Sequence, residues 1–215
     1  MKKFAIYASG KCTRIRKALT IYPELVGQIS FVIIDESEDI EIKKYFTSIG
    51  IDYYCFDYMT VDKKEDRNLL LSDYILELLN SYRIDYCLSF GAHILKGELL
   101  KQYNYKLINF HPGIIPEVIG LHAIDKAIKE GKRYIGNTVH FIDQGVDSGP
   151  IIMQNLILAD CFSERGYDLY LDAQIELIWK TIKLLESDRI IIDNGKVQIK
   201  NGNYYVSHIF PGFEI

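Results

Sequence analysis

Lys106-Leu107-Ile108-Asn109-Phe110-His111-Pro112 is a short apolar run that ends in polar side chains and is stopped by a proline. Residues 106–110 have strand composition, and Pro112, which has no N–H for a ladder, leaves His111 at the strand's carboxyl edge. Side chains two apart share a strand face, so Asn109 and His111 reach one target while Phe110 faces the other side. Upstream, apolar runs at 4–8, 29–34, 53–56 and 85–89 alternate with segments of helical period at 15–21, 41–49, 67–82 and about 95–102. Downstream, the pattern predicts a helix at 122–130, strands at 136–142 and 150–158, and a long amphipathic helix at 164–186. Such alternation builds an α/β domain: a Rossmann-like open, mainly parallel sheet with helices on both faces, whose ligands gather beyond the strand carboxyl ends.

After residue 190 the chain predicts a short appendage, 191–215, belonging to the same domain as 1–190. Within it, 196–200 and 204–206 read as a hairpin across Asn201-Gly202, a dipeptide suited to a tight turn. A length of 215 residues suits a single core of this kind. The hydrophobic share of 48% and charged share of 25% are those of an ordinary folded domain.

A net charge of -4 argues against a general nucleic-acid binder. The apolar start, Phe4 to Ala8, is too short for a signal or membrane segment, and a cytoplasmic protein is expected. Cys12, Cys55, Cys87 and Cys161 lie far apart, with neither metal-site nor disulfide spacing. No His-Glu-x-x-His is present, and in Gly145-Val146-Asp147-Ser148-Gly149 the serine stands at the wrong spacing for a nucleophile elbow. No metal is expected. A generic dinucleotide domain is disfavoured too, because no Gly-x-Gly-x-x-Gly follows the first strand.

Acyl transfer to an amine passes through a tetrahedral species with a developing oxyanion, and the attacking nitrogen loses a proton. An amide donor, an imidazole and a carboxylate meet those needs without a covalent enzyme intermediate. Asn109 supplies the donor, His111 a second donor or proton carrier, and Asp147, in the later acidic loop, a group that holds the imidazole's charge and accepts the amine's proton. His122 is expected at a helix start, His140 as a core or supporting residue on one strand face with Thr138, and His208 on the surface. Lys126, Lys129, Lys132 and Arg133 read as a solvated face.

Five motifs follow one another between Ile108 and Pro150: Asn109-Phe110-His111-Pro112, Ile114-Ile115-Pro116, Gly120-Leu121-His122, Asn137-Thr138-Val139-His140 and Asp147-Ser148-Gly149-Pro150. In this the chain resembles the glycinamide ribonucleotide/methionyl-tRNA formyltransferase superfamily. The resemblance implies that a formyl group moves from 10-formyltetrahydrofolate to a primary amine, with Asn109, His111 and Asp147 catalytic. It also implies a folate cleft formed by Phe90, Gly91, Ala92, His93, Ile94 and Leu95 with Ile142, Asp143 and Val146, in which Ile94 and Leu95 are apolar walls. His93 stands where the ribonucleotide enzymes carry arginine.

For the acceptor, the ribonucleotide enzymes hold a phosphate on a Gly-Asn-Gly-Ser-Asn-type first loop. Here that loop is Gly10-Lys11-Cys12-Thr13-Arg14, which departs at Cys12 and Arg14 yet retains groups able to grip a phosphate or pyrophosphate. Glu176 falls where those enzymes place a glutamate on ribose hydroxyls. The departure in the first loop points to a different anionic substrate, and Asn109-Phe110-His111-Pro112-Gly113 with the following Pro116-Glu117 looks more like the amino-sugar N-formyltransferases. The leading expectation is therefore the 4-amino group of a nucleotide-linked sugar; phosphoribosylglycinamide comes second and a non-catalytic folate or sugar-nucleotide sensor third. The tRNA enzyme is disfavoured by the acidic charge and by the lack of room for an RNA-binding domain. The aromatic tail leaves a homodimer open.

Overall fold

In the computed structural model, which describes residues 1–160 and 166–204, every side chain of the first strand, β1 (Phe4–Ala8), is buried. A strand covered by helices on both faces reads as a continuous apolar run, and this one does. β2 (Ile29–Ile34), β3 (Asp52–Cys55), β4 (Tyr86–Phe90) and β5 (Leu107–His111) extend the sheet in parallel. β6 (Tyr134–Phe141) and β7 (Ile151–Leu158) close one side antiparallel, giving the order β3-β2-β1-β4-β5-β6-β7. The expected mainly parallel α/β sheet has formed.

Alternate residues divide the core. Phe4, Ile6 and Val32 pack with α1 (Thr13–Ile21), α2 (Ile40–Ser48) and the long α6 (Tyr167–Glu186). Ala5, Tyr7, Phe31 and Ile33 pack with α3 (Arg67–Tyr82) and α4 (Glu98–Gln102) on the other face. Asp39 starts α2, its carboxylate accepting from the N–H groups of Glu41 and Ile42 at 2.9 and 3.1 Å. α5 (Ala123–Lys129) follows the β5 loop. Among the described residues no helix is long and apolar enough to cross a membrane.

The chain leaves β1 toward β2 and β3, then returns through α3 to β4 on β1's other side. That reversal opens a crevice beyond the carboxyl ends of β1 and β4.

One helix boundary is corrected, and a hairpin forms upstream of the expected one. The helix foreseen from 95 begins only at Glu98, because Gly97 takes a positive φ of 71° and residues 91–96 remain a loop. A hairpin forms across Asn194-Gly195, pairing β8 (Ile190–Asp193) with β9 (Lys196–Ile199), so that 196–199, expected to pair onward across Asn201-Gly202, pairs backward. Both Asn194 and Gly195 have positive φ, as a tight two-residue turn requires, and the register lays Ile190, Ile192, Val197 and Ile199 on the core. Tyr204 is not in a strand; residues 205 and 206 of the expected second strand lie outside the described residues, as do His208 and Cys161.

Candidate active site

A cleft of about 380 Å3 opens at this crevice, bounded by the ends of β4 and β5, the loop after β4 and the loop between β6 and β7. Asn109, His111 and Asp147 line it together, as do all of 90–95, Ile142, Asp143 and Val146. The residues expected around the cosubstrate thus share one cavity with the expected reacting groups. Leu95 is buried in the core while Ile94 is 47% exposed, so the two form different parts of an apolar wall. His93 lies flat against Tyr58, ring centroids 3.5 Å apart, with Nε2 3.7 Å from the Asp35 carboxylate.

Strand register assembles the polar centre. Asn109 pairs with His140 and His111 with Thr138 across the antiparallel β5–β6 ladder, so His140 stands beside the expected trio. Asn109 Nδ2 is 3.2 Å from His140 Nε2 and 3.5 Å from Asp147 Oδ1. His111 Nδ1 is 3.2 Å from Asp147 Oδ2, and His140 Nε2 is 3.6 Å from Asp147 Oδ1. His140 Nδ1 donates to the Phe141 carbonyl at 2.8 Å, which leaves Nε2 of the neutral ring to accept from Asn109. Period-two spacing in the sequence sets the face of His140, but strand pairing is needed to put it on Asp147.

His111 is held from its other side as well. Its Nε2 donates to the Val118 carbonyl at 2.9 Å, which fixes the tautomer and leaves Nδ1 toward Asp147. A Cβ on Gly113 would lie 2.7 Å from both His111 Nε2 and the Val118 oxygen, so glycine is what lets the chain pass. The turn is pinned in its turn: Thr138 Oγ1 donates to the Gly113 carbonyl at 2.7 Å and accepts from Ile115 N–H, while Gln154 Nε2 donates to the Ile115 carbonyl at 2.9 Å.

Burial, the largest influence on His111, holds its pKa below the ordinary histidine value against the pull of Asp147. Burial works to raise the Asp147 carboxyl, but the His140 ring, the Gly120 N–H that donates at 2.8 Å and the charge of His111 outweigh it and hold the carboxyl below the usual range. Near neutral pH the pair is a neutral imidazole facing a carboxylate. Ser148 donates to Asp143 at 2.7 Å rather than meeting a histidine, which removes the serine-nucleophile arrangement. Among the described residues no three His, Cys, Asp or Glu side chains are grouped to hold a metal.

The first loop borders an adjoining hollow of about 430 Å3 lined by Lys11, Cys12, Thr13 and Arg14. Gly10 is not on its wall; its N–H donates to Glu36 at 3.1 Å. Cys12 adopts a left-handed φ of 52°, a conformation that glycine reaches more easily, and burial pushes its thiol up to about 12. α1 begins here with no side-chain cap, so its first-turn N–H groups face the hollow unclaimed by a neighbouring side chain. Arg14 lines both cavities, with Nη1 donating to Gln174 at 3.2 Å and its guanidinium over the Phe90 ring.

Glu176 is not at the site. It lines neither cavity and pairs with Lys180 at 2.7 Å on the exposed face of α6. Two residues of helix rotate a side chain by about 200°, so Gln174, fully buried against Arg14, faces inward and Glu176 outward. His122 sits at the cleft rim, exposed, at the start of α5 without capping it.

An amide, two imidazoles and a carboxylate thus meet in a cleft at the strand ends of an α/β sheet, an arrangement able to offer hydrogen bonds and carry a proton. The chain belongs to the formyl transferase family, whose model matches residues 6–170. It is 29% identical over 162 residues to the phosphoribosylglycinamide formyltransferase of Bacillus subtilis, covering 74% of this chain and 81% of that one. It is 31% identical over 128 residues to a formyltetrahydrofolate deformylase of Haemophilus influenzae, covering 58% of this chain and 46% of that one. Among solved structures, glycinamide ribonucleotide transformylase 1 from Symbiobacterium toebii superposes with a TM-score of 0.77 at 25% identity, covering 93% of this chain and 94% of the other. The phosphoribosylglycinamide formyltransferase of Streptococcus pneumoniae superposes with a TM-score of 0.71 at 28% identity, covering 86% and 99%. The chain is a folate-dependent formyl-transfer enzyme.

Proposed function

We propose that this enzyme transfers the formyl group of 10-formyltetrahydrofolate directly to the primary amine of a small anionic acceptor, with Asn109, His111 and Asp147 catalytic. The observation that carries the reading is the 3.2 Å approach of a neutral His111 Nδ1 to the ionised Asp147 inside the cleft. Two acceptors facing one another have room for a single proton, the one the amine loses as its nitrogen bonds the formyl carbon. His111 and Asp147 hold that proton and return it to N10 of the departing tetrahydrofolate. Asn109 offers N–H to the oxyanion, and His140 and Asp147 keep that amide oriented. The loop 90–95 with Ile142, Asp143 and Val146 takes the pterin; Lys11, Cys12, Thr13 and Arg14 take the acceptor's anionic group at the start of α1.

Phosphoribosylglycinamide is the acceptor that the relatives favour, and it moves ahead of the nucleotide-linked amino sugar. The sugar stays second on one observation: Arg14 extends between the two cavities, giving the acceptor side an additional fixed cation. The test is release of tetrahydrofolate from 10-formyltetrahydrofolate by purified protein, with phosphoribosylglycinamide, with nucleotide-linked 4-amino sugars, and with no acceptor. Turnover with the ribonucleotide alone supports the first reading, and turnover with a sugar alone supports the second. Release without acceptor means hydrolysis, and no release in any arm overturns the transferase.

A further inference from the structure

Asp35, at the end of β2, is 2% exposed and takes no part in the chemistry above. Its Oδ2 accepts from the Tyr7 hydroxyl at 2.7 Å and from Ser9 Oγ at 2.5 Å, while Oδ1 has no partner among the described residues. No lysine or arginine pairs with it among the described residues; the imidazole of His93 lies with Nε2 3.7 Å away. A buried carboxylate in such surroundings costs stability that an amide or an apolar residue avoids, so its presence calls for a use.

The side-chain contacts of Asp35 with Ser9, Tyr7 and His93 lead to one place. Ser9 gives its single proton to Asp35 and accepts from the N–H of Ala92 at 2.7 Å, a directed chain in which each bond polarises the next. Tyr7, whose hydroxyl is committed to Asp35, presses its ring against Gly91 so closely that a Cβ there would lie 2.1 Å from ring carbons. His93 faces Asp35 directly. Three consecutive residues of the loop that lines the cleft, Gly91, Ala92 and His93, are thus each tied to this carboxylate by a different route.

We infer that Asp35 is a positioning residue for the cosubstrate loop, acting through Ser9, Tyr7 and His93 to hold 91–93 in the conformation that receives the pterin of a reduced folate. The inference rests on the folate reading proposed above. Its test is calorimetric titration of 5-formyltetrahydrofolate, a stable reduced folate, into the wild type and into Ser9→Ala, Ser9→Thr and Asp35→Asn, with KM for each substrate measured alongside. Ser9→Ala weakens binding about ten-fold, the size expected for one broken link to a buried charge, and Ser9→Thr restores it. Asp35→Asn raises KM for the folate and leaves KM for the acceptor, a split that general loosening of the fold does not produce. Wild-type binding that Ser9→Ala matches within two-fold overturns the inference alone. A wild type that binds no folate overturns it together with the reading beneath it.

Discussion

His111 is clamped between a backbone carbonyl and a carboxylate: Nε2 donates to Val118 at 2.9 Å, and Nδ1 faces Asp147 at 3.2 Å. Since the first contact requires the proton on Nε2, the second is made by a lone pair whenever the ring is neutral. A proton arriving at Nδ1 gains a hydrogen bond to Asp147 but must be carried by a ring buried from water.

The direction of the pH dependence follows. Burial depresses the His111 pKa below its ordinary 6.5, and Asp147 stays ionised in the same range. Activity is expected to be level through neutral pH and to fall as pH drops below 6.5 through the depressed value, read from kcat/KM between pH 5 and 8.5. Stability carries the same sign: the contribution of a ring buried neutral is present above 6.5 and is lost as pH falls through the folded pKa. An acid limb centred above 6.5 would mean that the charge of Asp147 outweighs desolvation.

Gly113→Ala is expected to cut kcat without abolishing folding. The added methyl meets His111 Nε2 and the Val118 oxygen at 2.7 Å, so the contact that sets the tautomer must open. A misplacement of ~1 Å at a reacting group costs on the order of a hundred-fold in rate. Steady-state kinetics with a melting curve check it; wild-type kcat would show that the turn relaxes away from His111.

Much of the site's placement is legible in the sequence, because its parts lie on segments whose sequence and structure agree. β1, β2 and α3 run over the residues expected, since buried strands and a helix ending at the left-handed Arg83 leave local marks. Asn109 and His111 share a face for the same reason. What escaped depends on distant packing. The end of the chain carries two Asn-Gly turns, and the pairing of β8 with β9 across the first rests on the packing of Ile190 and Val197 against the core. Asp35, just past the end of β2, gains its partners only when Tyr7 and Ser9 close over it. His140 joins Asp147 only through the β5–β6 register.

The phase of α6 decides the acceptor side. Glu176→Ala is expected to leave KM for the acceptor within about two-fold, as surface changes of this kind do, whereas Gln174→Leu and Arg14→Ala raise it. Gln174 fixes Arg14 at 3.2 Å, so its loss frees the guanidinium, and the loss of Arg14 removes the cation itself. A ten-fold or greater rise is expected for Arg14→Ala, in line with a charge-assisted contact. An equal rise in Glu176→Ala would reinstate the ribose contact that the helix phase argues against.

His140 separates packing from function most cleanly, because its contacts bear on both of its neighbours' titrations. Its ring helps hold the Asp147 carboxyl down and adds to the depression of His111. His140→Gln removes the ring and keeps a polar group in a nearly fully buried position. The Asn109 amide then loses the imidazole that accepts from it, and kcat is expected to fall on the order of a hundred-fold, the cost of a reacting group misplaced by ~1 Å. At the same time both depressed values relax upward, so the acid limb of the pH–rate profile moves to higher pH than in the wild type. A residue that merely fills space beneath β5 lowers kcat without moving that limb. The profile of the variant against wild type, measured over the same range, therefore decides between a histidine that orients the reacting groups and one that only packs against them.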